Sequence, residues 1–283
     1  MALGAWDAVL CSGTLDRHAT FEQRIAAASS GGFKGISLWG RDYRAARVQG
    51  LSDADMRIML DDAGLQIAEL DLAWWWLPGA SEIHIPARFD AEELFAFGEE
   101  ELFSIADSLG ARSLNAVDVF GGSWSLDDAA DAFAALCYRA LEHGLLVHIE
   151  FLPWSKIPDL RTALEVVSRA GQPNGGIAID AWHYFRGSPE PGLLETIPAH
   201  MVACVQLSDA PATPEEDLPN ASLHERLLPG EGDFDIVTLM TDLRSIGTAC
   251  PIGVEVFSDR LHELPPAVIG EKAGRSLRSF LST

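Results

Sequence analysis

The chain has 283 residues, of which 48% are hydrophobic, with 42 acidic against 20 basic side chains and a formal charge of −22 at pH 7. So acidic a surface repels phosphate backbones, which argues against nucleic acid as a partner. The four cysteines lack CxxC spacing and are typical of buried free thiols in a reducing compartment. No apolar run approaches the ~20 residues that span a bilayer, and the first residues lack a signal-peptide pattern, so we expect a cytoplasmic protein without membrane association.

Short apolar runs alternate with longer amphipathic segments along the chain. The apolar runs predict eight strands, at residues 4–13, 33–40, 65–76, 111–121, 145–153, 175–183, 201–209 and 250–259. The amphipathic segments predict helices at residues 21–32, 52–64, 90–110, 125–144, 157–171, 234–247 and 266–282, with a weaker helix near 193–197. The longest irregular stretch, residues 208–233, follows the seventh strand, and a loop of this length is typically a lid or part of a site.

This alternation predicts the fold class. Eight strand-then-helix units in a chain of this length indicate an α/β protein with a closed parallel (β/α)8 barrel, the TIM barrel. An open doubly wound sheet is the competing architecture, but no G-x-G-x-x-G turn follows the first predicted strand. Neither a linker nor a low-complexity tract interrupts the pattern. We therefore expect a single domain over residues 1–283.

Polar side chains end four successive predicted strands. Glu150 ends the fifth strand, Asp180 the sixth, Gln206 the seventh and Glu255 the eighth. The C-terminal ends of barrel strands meet at one face, so these oxygens converge where bare carboxylates would repel one another. Any one of them alone is more typical of a solvated or helix-capping group, but four in register favour one divalent cation. Oxygen ligands favour Mn²⁺, with Mg²⁺, Co²⁺ or Zn²⁺ as alternatives.

The residues around these positions resemble a known family. The ordered set "HIEF", "DAWH", "VQLSD", "RLLPGEGDFD" and "GVEVF", with "SGTL" and "GGFKGISLW" nearer the N-terminus, is similar to the xylose isomerase-like barrels often labelled sugar phosphate isomerases/epimerases. The resemblance implies that Glu150, Asp180 and Glu255 are metal ligands. It also implies that His183, in the D-x-x-H pair with Asp180, lines the substrate pocket.

The resemblance is imperfect at the third ligand position. Most of these relatives carry histidine where this chain has Gln206, and the dehydroshikimate dehydratase-like branch carries glutamine there. A glutamine oxygen still ligates a metal, so this departure bears on the reaction and not on the metal. The DNA-repair nucleases of the same superfamily need further histidines for a three-zinc cluster. This chain offers Trp39 and Glu69 on strands two and three instead, and its negative charge also excludes that branch.

A divalent cation flanked by two glutamates is suited to proton transfer next to a carbonyl. The cation chelates a hydroxy-ketone and stabilises an enediolate, while Glu150 and Glu255 act as the catalytic groups that remove and return a proton. We therefore expect an isomerase or epimerase acting on a keto-sugar or related polyol. A lyase that dehydrates a cyclic hydroxy-ketone or cleaves a 3-oxo-glycoside is the alternative, and a non-catalytic metal-dependent sugar-binding protein is the second. The expected partner is a small molecule, and a homo-oligomer stays open.

Several other side chains near predicted strand ends are candidates for the site. His183 is expected either to donate a proton as a third catalytic residue or to orient a ligand carboxylate. Arg226, in the long loop, is suited to holding a substrate carboxylate or phosphate, or to a surface salt bridge. His148 points the same way as Glu150 one layer deeper, where it either packs or supports a ligand. The remaining candidate substrate contacts are Trp39, Trp75, Lys156 and Arg186.

Overall fold

Eight parallel strands close into a barrel in chain order, each hydrogen-bonded to its neighbours in sequence and the last to the first. The computed structural model describes residues 3–83 and 95–281. The strands are β1 Ala8–Leu10, β2 Gly35–Trp39, β3 Gln66–Ala73, β4 Ser113–Val117, β5 Leu146–Glu150, β6 Gly175–Asp180, β7 Val202–Leu207 and β8 Ile252–Val254. The predicted (β/α)8 barrel is confirmed.

Helices connect the strands. Those in the described residues are α1 Phe21–Gly31, α2 Gly40–Val48, α3 Asp53–Ala63, α4 Glu99–Leu109, α5 Leu126–Leu141, α6 Leu160–Ala170, α7 Ala181–Arg186, α8 Leu218–His224, α9 Ile236–Ser245, α10 Asp259–His262 and α11 Pro266–Leu281. Short 3-10 turns lie at Ser12–Thr14, Ala80–Glu82, Leu194–Thr196 and Ala199–Met201. None of these described helices combines the length and apolar character that crossing a membrane requires.

The short helices α7 and α10 were not predicted, and α7 takes up the last residues of the sixth predicted strand. Four further stretches also differ from the predicted elements. The helix α2 was not predicted because "GRDYRAARV" carries few apolar residues; its first turn is held by Asp42, whose carboxylate accepts a hydrogen bond from the Trp39 amide at 3.0 Å. The helix predicted over 90–110 begins at Glu99, and residues 84–94 lie outside the described chain. The weak helix near 193–197 is a single 3-10 turn. Residues 208–233 contain α8, which begins after an aspartate cap within the stretch predicted to be irregular.

Polar residues face the interior of the barrel on several strands. Side chains two residues apart on a strand point to the same side, and such pairs of polar residues occur on β3 (Glu69 and Asp71), β5 (His148 and Glu150) and β7 (Cys204 and Gln206), all of them buried. The register between β6 and β7 sets Asp180 level with Gln206. The barrel therefore carries the four predicted metal ligands to its C-terminal mouth, above a second polar layer that includes Glu69 and His148.

The first and last helices, α1 and α11, approach each other closely enough for backbone contact. A Cβ atom added at Gly270 would lie 2.0 Å from the carbonyl oxygen of Ala27, and one added at Gly274 would lie 2.1 Å from that of Gly31. The Arg278 guanidinium donates to the same Gly31 oxygen at 2.7 Å. The distance between these two helices, which brings the two ends of the chain together beside the barrel, therefore requires glycine.

We expect Gly270→Val to lower the free energy of unfolding by about 2–3 kcal/mol, because overpacking against a backbone oxygen cannot be relieved by rotating a side chain. Urea unfolding followed by circular dichroism measures this loss. Gly98→Ser is the control, since no atom lies within 4 Å of a Cβ at that position and serine is a favourable N-cap for α4. Equal unfolding midpoints for the two variants would contradict the close approach of α1 and α11.

Candidate metal centre

A cavity opens at the C-terminal ends of the strands. Of the four predicted metal ligands, Glu150 and Glu255 line it, whereas Asp180 and Gln206 are not among its lining residues. Its polar and charged lining comes from Asp71, Asn115, Glu150, His183, Arg226 and Glu255, and its aromatic lining from Trp39, Phe95, Trp154 and Phe257. The rings of Trp39 and Phe257 meet edge to face with centroids 6.3 Å apart. This combination of a polar cluster and aromatic walls is typical of a small-molecule site.

The interior around this cavity holds more negative than positive charge. Five carboxylates, each between 1% and 7% exposed, come close together there: Glu69, Asp71, Glu150, Asp180 and Glu255. Among the described Lys and Arg residues, Arg226 is the one in ion-pair contact with this group. Because burying an unpaired charge costs several kcal/mol, such a cluster calls for a further cation or for bound protons.

The Arg226 guanidinium lies between two of the predicted metal ligands. Its Nη1 donates to Asp180 Oδ2 at 2.7 Å and lies 3.6 Å from Glu255 Oε2. Its Nε and Nη2 donate to the backbone oxygen and the hydroxyl of Ser222, at 2.8 and 2.9 Å. A buried arginine from the long loop thus fixes the geometry of the carboxylates, and the alternative of a surface salt bridge for Arg226 is wrong.

Asp180 and His183 form a compact capping unit at the start of α7. The Asp180 carboxylate accepts a hydrogen bond from the His183 amide at 2.9 Å, which caps the helix through one carboxylate oxygen and leaves the other for Arg226. The His183 Nε2 lies 3.4 Å from Glu150 Oε1 and 3.2 Å from an Arg226 nitrogen. Burial opposes ionisation of Asp180, but the charges of Arg226 and His183 outweigh it and hold the Asp180 pKa below its ordinary value.

Two other carboxyl groups show the opposite shift. Burial, and then the nearby Glu150 carboxylate, raise the pKa of Glu255 well above its ordinary value, although Arg226 acts against them. Burial and the neighbouring Glu69 raise the pKa of Asp71 in the same way. Charge repulsion within the cluster is therefore only partly relieved by Arg226.

Gln206 contributes an uncompensated oxygen to the interior. Its amide nitrogen donates to Glu69 Oε1 at 3.0 Å, whereas its amide oxygen is buried and has no hydrogen-bond partner among the described residues. A buried carbonyl oxygen without a partner costs free energy that a bound cation would recover.

The residues at this mouth fit a divalent cation. Glu150, Asp180 and His183 each offer a ligand atom, and these atoms all lie within 4.8 Å of one another. Excess carboxylate charge, the raised pKa of Glu255 and the free Gln206 oxygen all point to a missing positive charge. Oxygen atoms dominate the donor set, and such sets suit Mn²⁺ or Mg²⁺.

Lys156 and Arg186, both predicted as substrate contacts, are engaged away from the cavity. The Lys156 ammonium lies over the Trp124 ring and donates to the backbone oxygens of Gly122 and Trp124, at 2.9 and 2.6 Å. The Arg186 guanidinium is buried against the Glu215 carboxylate at 2.7 Å. Both cations are already satisfied by protein groups, and neither is among the residues that line the cavity.

Trp75 and His148 also lie outside the cavity lining. The Trp75 indole donates to the Phe97 backbone oxygen at 3.0 Å, so the side chain anchors the segment before α4. His148 is fully buried one layer below Glu150, with its Nε2 2.7 Å from Glu69 Oε2. Of the two roles considered for His148, the structure favours the packed, hydrogen-bonded one.

Asp71 and Asn115 line the cavity but were not singled out from the sequence. The Asn115 amide nitrogen donates both to Asp71 Oδ1 at 3.0 Å and to Glu150 Oε2 at 2.6 Å, so it bridges two carboxyl groups. A usable signal was present on the third predicted strand, where "AELDLA" places two acidic residues on the same side. The three consecutive tryptophans that follow are the more conspicuous feature of that strand.

The raised pKa of Asp71 predicts a pH dependence of stability. In the metal-free protein the folded state binds more protons than the unfolded state from about pH 4 up to the raised folded pKa. Stability therefore falls as pH rises through that window, by up to about 1.4 kcal/mol per pH unit. We expect Asp71→Asn to remove this contribution and to flatten the decline between pH 5 and 7, measured by urea unfolding with a chelator present.

Asp128→Asn is the control for this experiment. Asp128 is exposed, and hydrogen bonds from Ser125 lower its pKa, so it is ionised in both states between pH 5 and 7 and its replacement leaves the slope unchanged. An Asp71→Asn curve parallel to the parent curve would contradict the raised pKa.

The sequence is similar to those of two kinds of curated enzyme. The dehydratase "3-dehydroshikimate dehydratase" of Pseudomonas aeruginosa is 26% identical over 269 residues, which cover 93% of this chain and 40% of that protein. The "inosose isomerase" of Bacillus subtilis is 23% identical over 140 residues, or 48% of this chain and 49% of the relative. This chain thus spans about two-fifths of the length of the dehydratases that it matches.

Solved structures and a family profile cover more of the chain. A crystal structure of the IolI protein with a bound zinc atom superposes with a TM-score of 0.82 at 16% identity, over 98% of both chains, which shows a shared fold. The profile described as "xylose isomerase-like TIM barrel" matches residues 25–280. Because that match takes in nearly the whole chain, the protein belongs to the xylose isomerase-like TIM barrel family.

Proposed function

We propose that this protein is a divalent-metal-dependent isomerase or epimerase that moves a proton at the carbon next to the carbonyl of a keto-sugar or related polyol. The observation that carries the proposal is that two buried glutamates, Glu150 and Glu255, line one cavity from non-adjacent strands. Reversible proton transfer at carbon needs a group that removes the proton and a group that returns one. Two carboxyl groups that reach the same space from different sides supply both.

The proposed ligands of the metal are Glu150, Asp180, Gln206 and Glu255. When bound, a divalent cation supplies Lewis acidity toward the substrate carbonyl and its neighbouring hydroxyl. Mn²⁺ is the first choice because the donors are oxygens, and Mg²⁺, Co²⁺ and Zn²⁺ are the alternatives. The zinc atom bound by the IolI protein supports a cation in this fold.

The protein's own groups provide orientation and proton transfer. Asn115 holds one oxygen of Glu150 at 2.6 Å, which leaves the other oxygen directed toward His183. His183 lines the cavity, and its Nδ1 has no partner within the described structure. We assign His183 the role of proton donor to a substrate oxygen, a role for which an imidazole side chain is suited. Trp39 and Trp154 provide apolar faces on which the C–H surface of a ring can stack.

A lyase is the second candidate. It is favoured by the alignment with the dehydroshikimate dehydratases, which takes in 93% of this chain against 48% for the inosose isomerase. It also fits Gln206 at the third ligand position. Loss of a β-hydroxyl after the same proton abstraction would give dehydration, with His183 protonating the departing oxygen.

Hydrogen exchange with solvent tests the proposed function. Incubating the Mn²⁺-loaded protein with a panel of hydroxy-ketones and inosose-type ketones in D₂O should place deuterium at the carbon next to the carbonyl, as read by NMR. Glu150→Gln and Glu255→Gln should each slow the exchange by ~100-fold or more, since each removes one proton-transfer group. Appearance of a conjugated enone absorbance would identify the lyase. Absence of exchange across the panel, with Mn²⁺ bound, would overturn both enzyme candidates in favour of a binding protein.

The proton-donor role of His183 has a separate test. His183→Ala keeps the backbone amide that caps Asp180, so we expect full metal content with a fall in kcat of ~100-fold or more. His224→Ala, an exposed histidine on α8 that pairs with Asp259, is the matched control and should leave both quantities unchanged. If metal content falls in step with kcat, His183 orients a ligand and does not donate a proton.

A further inference from the structure

The side-chain amide of Gln206 is held in one orientation by a contact across the barrel. Its Nε2 donates to Oε1 of Glu69 at 3.0 Å. Glu69 lies on β3 and Gln206 on β7, which stand on opposite sides of the eight-stranded ring. The two side chains therefore meet in the interior of the barrel.

The orientation follows from the chemistry of Glu69. An ionised carboxylate only accepts hydrogen bonds, so the amide group that faces it has to be the NH₂ and not the oxygen. The second carboxylate oxygen of Glu69, Oε2, lies 2.7 Å from His148 Nε2 and accepts a hydrogen bond from the Cys204 thiol at 3.3 Å. Glu69 is thus fixed by two partners and has one oxygen left for Gln206.

Gln206 lies between the deeper polar layer that holds Glu69 and the layer of Asp180. Glu69 and Gln206 both border a deeper space with Cys11 and Cys204, whereas Asp71, two residues after Glu69, borders the upper cavity. Gln206 stands level with Asp180 in the register of β6 and β7. The amide nitrogen is engaged by Glu69, and the amide oxygen is the atom without a partner among the described residues.

We infer that Glu69 is a positioning residue that makes Gln206 an oxygen ligand for the metal. This inference rests on the proposed metal site. A glutamine is an ambiguous ligand, because a half-turn of its amide replaces a metal-binding oxygen with an NH₂ group that repels a cation. Glu69, held by His148 and Cys204, removes that ambiguity. Groups that orient a ligand in this way typically contribute 10–100-fold to metal affinity.

Glu69, His148 and Cys204 could instead hold a metal themselves, since their donor atoms lie within 4.8 Å of one another. The structure favours the positioning role, because Glu69 already accepts hydrogen bonds from the Cys204 thiol and from Gln206 and lies 2.7 Å from His148 Nε2. Measurements of metal affinity separate the two arrangements.

Mn²⁺ affinity of the metal-free protein, measured by calorimetry and by the electron paramagnetic resonance of free Mn²⁺, tests the inference. Glu69→Gln removes the charge and lets two amides meet in either orientation. Glu69→Asp keeps the charge, but its side chain is one methylene shorter, which moves the carboxylate oxygen away from the Gln206 nitrogen. We expect both variants to weaken Mn²⁺ binding by about 10–100-fold. Circular dichroism confirms that each variant is folded, and either one suffices if the other does not fold.

Combining each change with Gln206→Ala completes the test. If Glu69 acts through Gln206, its replacement should have no further effect once Gln206 is absent. An undiminished effect in the Gln206→Ala background, or parent-like affinity in Glu69→Asp, would show that only the charge of Glu69 matters and would overturn the inference. Cys204→Ala removes one of the two groups that hold Glu69, so it should weaken Mn²⁺ binding by less than either Glu69 variant. Loss of binding in Cys204→Ala, or a second bound equivalent that it abolishes, would show a metal at Glu69 itself.

The failure of this inference and the failure of the proposed function give different results. A parent protein that binds no Mn²⁺, or whose binding is unaffected by Asp180→Ala, contradicts the proposed metal site. Binding that depends on Asp180 but not on Glu69 leaves the metal site intact and overturns only the role of Glu69.

Discussion

The structure around the barrel mouth depends on one constraint, the need to balance carboxylates that the fold brings together inside the protein. Parallel strands in a closed barrel end at one face, so acidic residues at their ends cannot avoid one another. With 1–7% exposure, these carboxylates have little water to screen their repulsion. Two side chains partly relieve that repulsion. Arg226 lies between Asp180 and Glu255, and Asn115 bridges Asp71 and Glu150. A divalent cation would complete the balance.

One of the contacts that balance these carboxylates, Arg226 with Asp180, also helps to hold the long segment after β7 in place. Residues 208–233 have the length of a flexible lid, yet two buried polar anchors hold them. Asp209 accepts hydrogen bonds from the amides of Gly230 and Phe234, at 2.9 and 3.0 Å, which closes the segment on itself. Arg226 ties its middle to Asp180. The loop that lines part of the cavity is thus anchored through a proposed metal ligand.

The fold was predictable because hydrophobic periodicity marks the strands and helices along the chain. Eight alternating strand–helix units then form a closed parallel barrel. The sequence also placed Glu150, Asp180, Gln206 and Glu255 at one mouth, because strand ends in such a barrel share one face. Their roles as ligands stay predictions. The contacts that individual side chains make were less predictable. Lys156 and Arg186 follow strands as expected, yet each binds protein groups from distant parts of the chain and does not line the cavity. The bridge formed by Asn115 and the contact between Glu69 and Gln206 depend on three-dimensional neighbours that no spacing along one strand reveals.

The central claim is that the buried carboxylates and the Gln206 oxygen surround one divalent cation. A crystal structure of the protein soaked in Mn²⁺, with an anomalous difference map collected for manganese, tests this claim most directly. We predict one strong peak within about 2.5 Å of oxygens from Glu150, Asp180, Gln206 and Glu255, with the Gln206 nitrogen still donating to Glu69. A peak at Glu69, His148 and Cys204, or a map without a peak at the mouth of the barrel, would contradict the account.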